Sequence, residues 1–204
     1  MRSSFPLFQS HLDLAHLYWS QVVQIGDTVI DATCGNGHDT LKLCQLTLSV
    51  DKGIVYAFDI QEQAIKSTDI YLYTHLRSDL RGRVNFQQRC HSTFPNEIAK
   101  EGVKLIVYNL GYLPGGDKEK TTAILTTLQS LKQAEGLLQP GGVMSITCYS
   151  GHGEGAREQE AVLAYASQLS PKEWNCCQHT WLNRQQAPSL FLIQKAISNP
   201  TTVR

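Results

Sequence analysis

The sequence predicts an α/β fold built on a doubly wound, mainly parallel seven-stranded sheet with a C-terminal antiparallel hairpin. Three observations lead there. Short apolar, β-branched runs alternate with amphipathic helical patterns along nearly the whole chain. The central runs are continuously apolar rather than alternating, as in strands buried on both faces. The last two runs are joined by a segment too short for a crossover helix, which makes them an antiparallel pair. With 204 residues, the chain is expected to form one domain, 1–204, with residues 1–25 as an N-terminal helical extension.

The elements follow in order. Residues 6–24 place Leu12, Leu14, Leu17, Tyr18 and Val22 at helical spacing. A first strand over Thr28–Thr33 is followed by a glycine turn and a helix over His38–Thr47. Ile54–Asp59 is the second strand and Glu62–Ser78 its helix, with Val84–Gln88 a weaker third strand and Ser92 a cap for a helix after it. Lys104–Asn109 is a strong fourth strand, and Thr121–Leu138 a helix that Pro140-Gly141-Gly142 stops before the strand Val143–Cys148. A helix over Glu158–Leu169 ends at Ser170-Pro171, and the runs Asn175–Trp181 and Ser189–Gln194 close the chain as the hairpin.

Eighteen Lys+Arg balance eighteen Asp+Glu, which excludes a polybasic nucleic-acid binder though not a local basic patch. No apolar run approaches the roughly 20 residues that span a bilayer, and the start shows no secretory signal. The six cysteines (Cys34, Cys44, Cys90, Cys148, Cys176, Cys177) contain no Cys-x-x-Cys. They read as small buried hydrophobes in a reducing compartment rather than a disulfide or zinc framework. Cytoplasm is the expected location, or a plastid if a plant transit peptide has been removed. No metal and no membrane contact are expected.

The stretch Asp31-Ala32-Thr33-Cys34-Gly35-Asn36-Gly37-His38-Asp39-Thr40 ends the first strand. Its glycines permit a sharp turn and close approach of a ligand to backbone. Asp59, ending the second strand, is placed to accept hydrogen bonds from both ribose hydroxyls, and the pair of signals points to an adenosine-type ligand. A dinucleotide would need a third glycine where Thr40 stands. Asp31 before the loop would repel pyrophosphate but suits an ammonium or sulfonium, so S-adenosylmethionine fits better. Asp31 and Asp39 can also be read as capping and turn residues. His91, after the third strand, lies where such sites hold the base.

The fourth strand runs into Asn109-Leu110-Gly111-Tyr112-Leu113-Pro114-Gly115-Gly116-Asp117-Lys118, outside the carboxyl end of a central strand, where doubly wound sheets place their chemistry. Asn109 offers a carbonyl to hold an amine N–H, and Tyr112 a flat face for an unpaired base. Tyr149-Ser150-Gly151-His152-Gly153-Glu154-Gly155 follows the fifth strand and would face that loop, with His152 a reasonable proton acceptor. Lys118, Lys120, Arg157 and Arg184 flank the expected cleft, whereas Arg77, Arg81, Arg83 and Arg89 read as a solvated face.

Those stretches, with Tyr56-Ala57-Phe58-Asp59-Ile60-Gln61 and Gly151-His152-Gly153, closely resemble the bacterial and plastid family once called rRNA methylases. Its characterised members are tRNA 5-aminomethyl-2-thiouridine methyltransferases. The likeness runs from about Pro6 to Lys195. It implies a class I, Rossmann-like, S-adenosylmethionine-dependent enzyme that converts the aminomethyl group of the wobble thiouridine to methylaminomethyl, acting on the tRNA anticodon stem-loop as a homodimer. The family tends to have His-Gly-His before Pro-Gly-Gly where this chain reads Ser150-Gly151-His152-Gly153-Glu154-Gly155. Its late loop usually carries a second Asn and a double proline, against one of each in residues 183–189 here.

The reading assigns Asp31, Thr33, Gly35, Asn36, Gly37, His38, Asp39, Thr40, Asp59, Gln61, His91 and Asn109 to the cofactor. Leu110, Gly111, Tyr112, Lys118, Tyr149, Gly151 and Arg184 go to the substrate, and Asn109, Asp117 and His152 to catalysis. Competing readings are a methyltransferase acting on rRNA, a small amine or a protein side chain, a non-catalytic cofactor-binding partner of another enzyme, and a nicotinamide dehydrogenase, which Thr40 disfavours.

Overall fold

In a computed structural model, the described residues are 10–111, 123–151, 153–184 and 186–197. Ser10 caps the first helix, α1 (His11–Val22), by accepting the Asp13 N–H at 3.0 Å. There follow β1 (Thr28–Asp31), α2 (His38–Thr47), β2 (Ile54–Asp59), α3 (Glu62–His75), a 3₁₀ turn (Ser78–Arg83), β3 (Val84–Gln88) and β4 (Val103–Leu110). The chain continues through α4 (Ile124–Leu137), β5 (Leu138–Cys148), α5 (Gly153–Gln168), β6 (Trp174–His179) and β7 (Ser189–Lys195).

The seven strands form one sheet in the order β3-β2-β1-β4-β5-β7-β6. The first five strands pair in parallel, while β7 runs antiparallel to both β5 and β6. Alternate residues of each central strand feed opposite layers. Ile30, Ile106, Tyr108 and Leu110 pack with Leu131, Ala134, Val162 and Ala166 of α4 and α5. Val29, Leu105 and Val107 pack with Trp19, Leu43 and Leu72 of α1, α2 and α3. Two apolar faces explain the unbroken hydrophobic runs.

The structure corrects several expectations. Residues 89–102, between β3 and β4, contain no helix and cross over in turns. Pro95 and Gly102 interrupt any helical ladder there, and Phe94 and Ile98 fill the space, Phe94 edge-on to Phe58. Pro140-Gly141-Gly142 lies inside β5 rather than before it. Val103 faces Leu138 while Leu105 faces Val143, so the extra residues bulge out of register. Gly141 sits at φ 74°, and a Cβ on Gly142 would come within 2.8 Å of the Gln139 carbonyl oxygen. Helix α5 begins at Gly153, so Glu154 and Gly155 lie in its first turn. Cys176 and Cys177, on edge strand β6, are exposed rather than buried. All six cysteines are free thiols.

Helix α1 is pinned across the α2 side of the sheet. Trp19 is 1% exposed, and its indole N–H donates to Ser145 Oγ at 2.8 Å. The arginines at 77, 81 and 83 serve the fold. Arg77 pairs with Asp79, Arg81 donates to the Tyr73 and Leu76 carbonyls, and Arg83 donates to that of Val50. Arg89 donates to Thr93 Oγ1.

Candidate active site

The site forms at the carboxyl edge of the sheet, where β1, β2 and β4 end side by side. The β1–α2 turn is shaped by Gly35 at φ 54° and Gly37 at φ 85°, with the Gly37 N–H closing it onto the Cys34 carbonyl at 2.8 Å. It packs on α3, where Thr68 Oγ1 donates to the Gly35 carbonyl at 3.1 Å.

Three carboxylates gather around this turn. Asp31 is fully buried and accepts Thr40 Oγ1–H at 2.6 Å and the Thr33 N–H at 3.2 Å. Burial, then the neighbouring Asp39 and Asp59 charges, push its carboxyl up to about 7 against those hydrogen bonds. Asp59 accepts the Gly35 N–H at 3.1 Å and the Gln61 N–H at 2.9 Å, and burial raises it above the ordinary carboxylate range. Asp39, on the first turn of α2, accepts from His16 Nε2 at 2.7 Å and from Asn109 Nδ2 at 2.8 Å.

Asn109 is the hinge between the two halves of the site. Its backbone N–H donates to Thr33 Oγ1 at 2.7 Å, tying the end of β4 to the β1 turn. Because Asp39 can only accept, the amide nitrogen must face it. Among the described residues, the buried Asn109 Oδ1 atom has no hydrogen-bond partner. A buried orphan acceptor beside a cluster of carboxylates suits a ligand that brings N–H groups and positive charge. S-adenosylmethionine, which carries a sulfonium and an ammonium, has that chemistry.

The remaining expected residues are placed as follows. Thr40 is buried and holds Asp31. Asn36 and His38 are exposed on the turn, with His38 edge-on to Tyr71 of α3. His91 is buried at the exit of β3, edge-on to Tyr108, with Nδ1 unpartnered among the described residues and burial driving its imidazole down to about 4. Leu110 buries its side chain in the core, and its carbonyl already accepts the Tyr149 N–H at 3.1 Å. Gly111 packs on Tyr149. Tyr149 is half-buried, its hydroxyl 3.2 Å from His11 Nε2, and burial with the Asp39 charge raises the phenol to about 12. Gly151 is exposed just before α5. Arg184 stacks 4.3 Å over Trp181 in the β6–β7 loop. That loop emerges at the same edge, since Ser189 pairs with Cys148 at the end of β5. Tyr112, Asp117, Lys118 and His152 lie outside the described residues, as does Lys120.

Sequence reasoning missed His11 and His16, which line the site from α1. No short-range pattern points to them, because their partners Tyr149 and Asp39 lie far along the chain.

Residues 55–195 match the family described as "Putative rRNA methylase". The chain is 45% identical over 188 residues to a tRNA (mnm(5)s(2)U34)-methyltransferase, chloroplastic, of Arabidopsis thaliana, covering 90% of this chain and 68% of that protein. This chain belongs to the rRNA methylase family. A family structure from Clostridium thermocellum superposes with a TM-score of 0.85 at 36% identity, covering 92% of this chain and 98% of that one. A methyltransferase from Streptococcus mutans, described as "putative" and solved in complex with SAH, superposes with a TM-score of 0.78 at 33% identity, covering 90% and 97%. The rRNA methylase fold is thus the class I methyltransferase sheet found here.

Proposed function

We infer that this protein is an S-adenosylmethionine-dependent tRNA methyltransferase that N-methylates the aminomethyl group of 5-aminomethyl-2-thiouridine at the wobble position. The observation that carries the reading is the buried, unpartnered Asn109 Oδ1 beside three carboxylates, in a chain 45% identical to a protein named for that reaction.

When bound, S-adenosylmethionine supplies a methyl group on a sulfonium sulfur, which the amine nitrogen takes with the sulfur as leaving group. We assign Asp59, at the end of β2, to the ribose hydroxyls. Asp31 and Asp39 supply negative charge for the cationic groups, and the Gly35–Gly37 turn, held against α3 and by Asp59, shapes the edge of the cofactor site. His91 presents a neutral ring on the base side. Asn109 Oδ1 accepts an N–H of the amine and so turns its lone pair. A primary alkyl amine has a pKa near that of lysine, about 10.4, and must lose a proton before it can react. We assign that proton to Asp117 or His152 and the stacking of the wobble base to Tyr112. Lys118 and Arg184 go to the RNA backbone.

We further propose that the enzyme acts as a homodimer, because a chain of zero net charge gains a broader basic surface by pairing, and that it works in the cytoplasm, or in a plastid if a transit peptide has been removed. Among the described residues no helix is long and apolar enough to cross a membrane.

The test is mass spectrometry of wobble nucleosides after incubation with cofactor and tRNA carrying the unmethylated aminomethyl precursor. A gain of one methyl on that nucleoside is expected. Methylation that survives nuclease treatment of the tRNA, or falls on ribosomal RNA or protein instead, would overturn the assignment.

A further inference from the structure

We propose that His16 and Asp39 form a positioning dyad for Asn109, so that the N-terminal helix sets which atom the site offers to the substrate amine. The catalytic consequence rests on the function proposed above; the structural content does not.

Asp39 commits each oxygen to a different element. Oδ1 accepts from His16 Nε2 on α1 at 2.7 Å, and Oδ2 accepts from Asn109 Nδ2 at the end of β4 at 2.8 Å. The carboxylate is nearly buried, its side chain 11% exposed, and His16 covers its outer side at 30%. A side-chain amide can exchange its donor and acceptor ends by a half-turn. Asp39 forbids that turn, because a carboxylate would then face Oδ1. The acceptor is thereby kept as the free end, and among the described residues it has no hydrogen-bond partner. An amine whose N–H rests on that oxygen keeps its lone pair for reaction, whereas a flipped amide would offer an N–H that competes for the lone pair.

His16 is itself held. Its ring lies 4.7 Å from that of Trp19, and the Trp19 indole is fixed to Ser145 on β5 at 2.8 Å. A line of contacts thus runs from the middle of the sheet through α1 to the carboxylate that orients Asn109. Without His16, Oδ1 of Asp39 loses its donor, and the carboxylate is free to rotate away from Nδ2.

The experiment follows the Asn109 side-chain amide by ¹⁵N NMR in the full chain, with the resonance assigned by its loss in Asn109→Asp. Turnover on aminomethyl-bearing tRNA is measured in parallel. His16→Ala is expected to move the Asn109 Nδ2–H resonance and lower kcat about 10-fold, leaving KM and cofactor Kd within about threefold. His16→Gln, which keeps an N–H for Asp39, should restore the resonance and most of kcat. Asp39→Asn, whose own amide can donate to Asn109 Oδ1 and so permit the flip, should cost about 100-fold in kcat. An Asn109 resonance unmoved by His16→Ala, or equal losses of kcat in His16→Ala and His16→Gln, would overturn the dyad. If the wild-type chain does not methylate this tRNA, the proposed function fails, and the amide resonance alone decides the dyad.

Discussion

Thr40 donates its hydroxyl to Asp31 across 2.6 Å, in a pocket from which water is excluded around both side chains. The place that would hold a third glycine in a dinucleotide loop is therefore occupied by a residue that serves a buried carboxyl. Asp31 ionises against its surroundings, since burial and the Asp39 charge both resist it.

That arrangement predicts a pH-dependent stability. The folded-state value of about 7 lies above the ordinary 3.8, so the stabilising contribution of Asp31 is fully present below pH ~4 and lost as pH rises through 7. Asp31→Asn keeps the shape and removes the charge, with the amide able to accept from Thr33 and donate to Thr40. Thermal melts without cofactor should show the variant gaining on the wild type between pH 5 and pH 8, by on the order of 1–3 kcal/mol. Cofactor affinity should fall at the same time, because a positive ligand loses its partner. A variant that melts lower than wild type at pH 8 would show that Asp31 is not strained.

Asn109 separates binding from reaction. Its backbone N–H holds Thr33, and that bond survives truncation of the side chain. Asn109→Ala should therefore keep cofactor Kd within a few-fold while lowering kcat by about 100-fold. Calorimetric titration with cofactor and single-turnover methylation read the two separately. Unchanged turnover would remove Asn109 from the mechanism.

Most of the sheet was legible because burial on both faces writes itself as unbroken apolar runs, as in Ile54–Asp59, while the half-exposed edge strand Val84–Gln88 shows only as Val84 and Phe86 alternating with polar residues. The glycine turn and Asp59 were legible for a related reason, since both are local features of a strand end. What was not legible depends on distant partners. Residues 89–102 pass without a helix because Phe94 and Ile98 find core contacts that no periodicity announces. Pro140-Gly141-Gly142 reads as a helix stop, and the helix does end at Leu137, but the sheet takes up these residues as a bulge. The hydrogen bond from the Tyr149 N–H to the Leu110 carbonyl likewise joins two strand ends that lie far apart in the sequence. His16 carries no local sign of its role at all.

Gly37 tests the shape of the cofactor turn. It sits at φ 85°, and a Cβ there would lie 3.0 Å from the Thr68 Cα and 3.1 Å from its Cγ2. The first of these is backbone in the middle of α3 and cannot swing aside. Gly37→Ala should destabilise the chain by about 1–3 kcal/mol through the left-handed backbone and the clash together. Urea unfolding measures that loss, and cofactor Kd should rise more than tenfold as the turn is pushed off α3. A variant of wild-type stability would mean that α3 yields, and the close packing of turn on helix would carry no weight.

Trp19 tests whether α1 belongs to the working fold. Its indole N–H is the donor to Ser145 Oγ in a site closed to solvent. Trp19→Phe keeps most of the apolar volume but strands that hydroxyl, which should cost about 1–3 kcal/mol. Ser145→Ala strands the indole N–H instead, at a similar cost. The double variant leaves neither group unsatisfied, so its loss should be smaller than the sum of the two, and the cycle isolates the bond. Because His16 rests on Trp19 and Asp39 on His16, the Trp19→Phe variant should also lose turnover beyond what its reduced stability explains at a temperature where it is fully folded. Full turnover under those conditions would show that α1 stabilises the sheet without shaping the site.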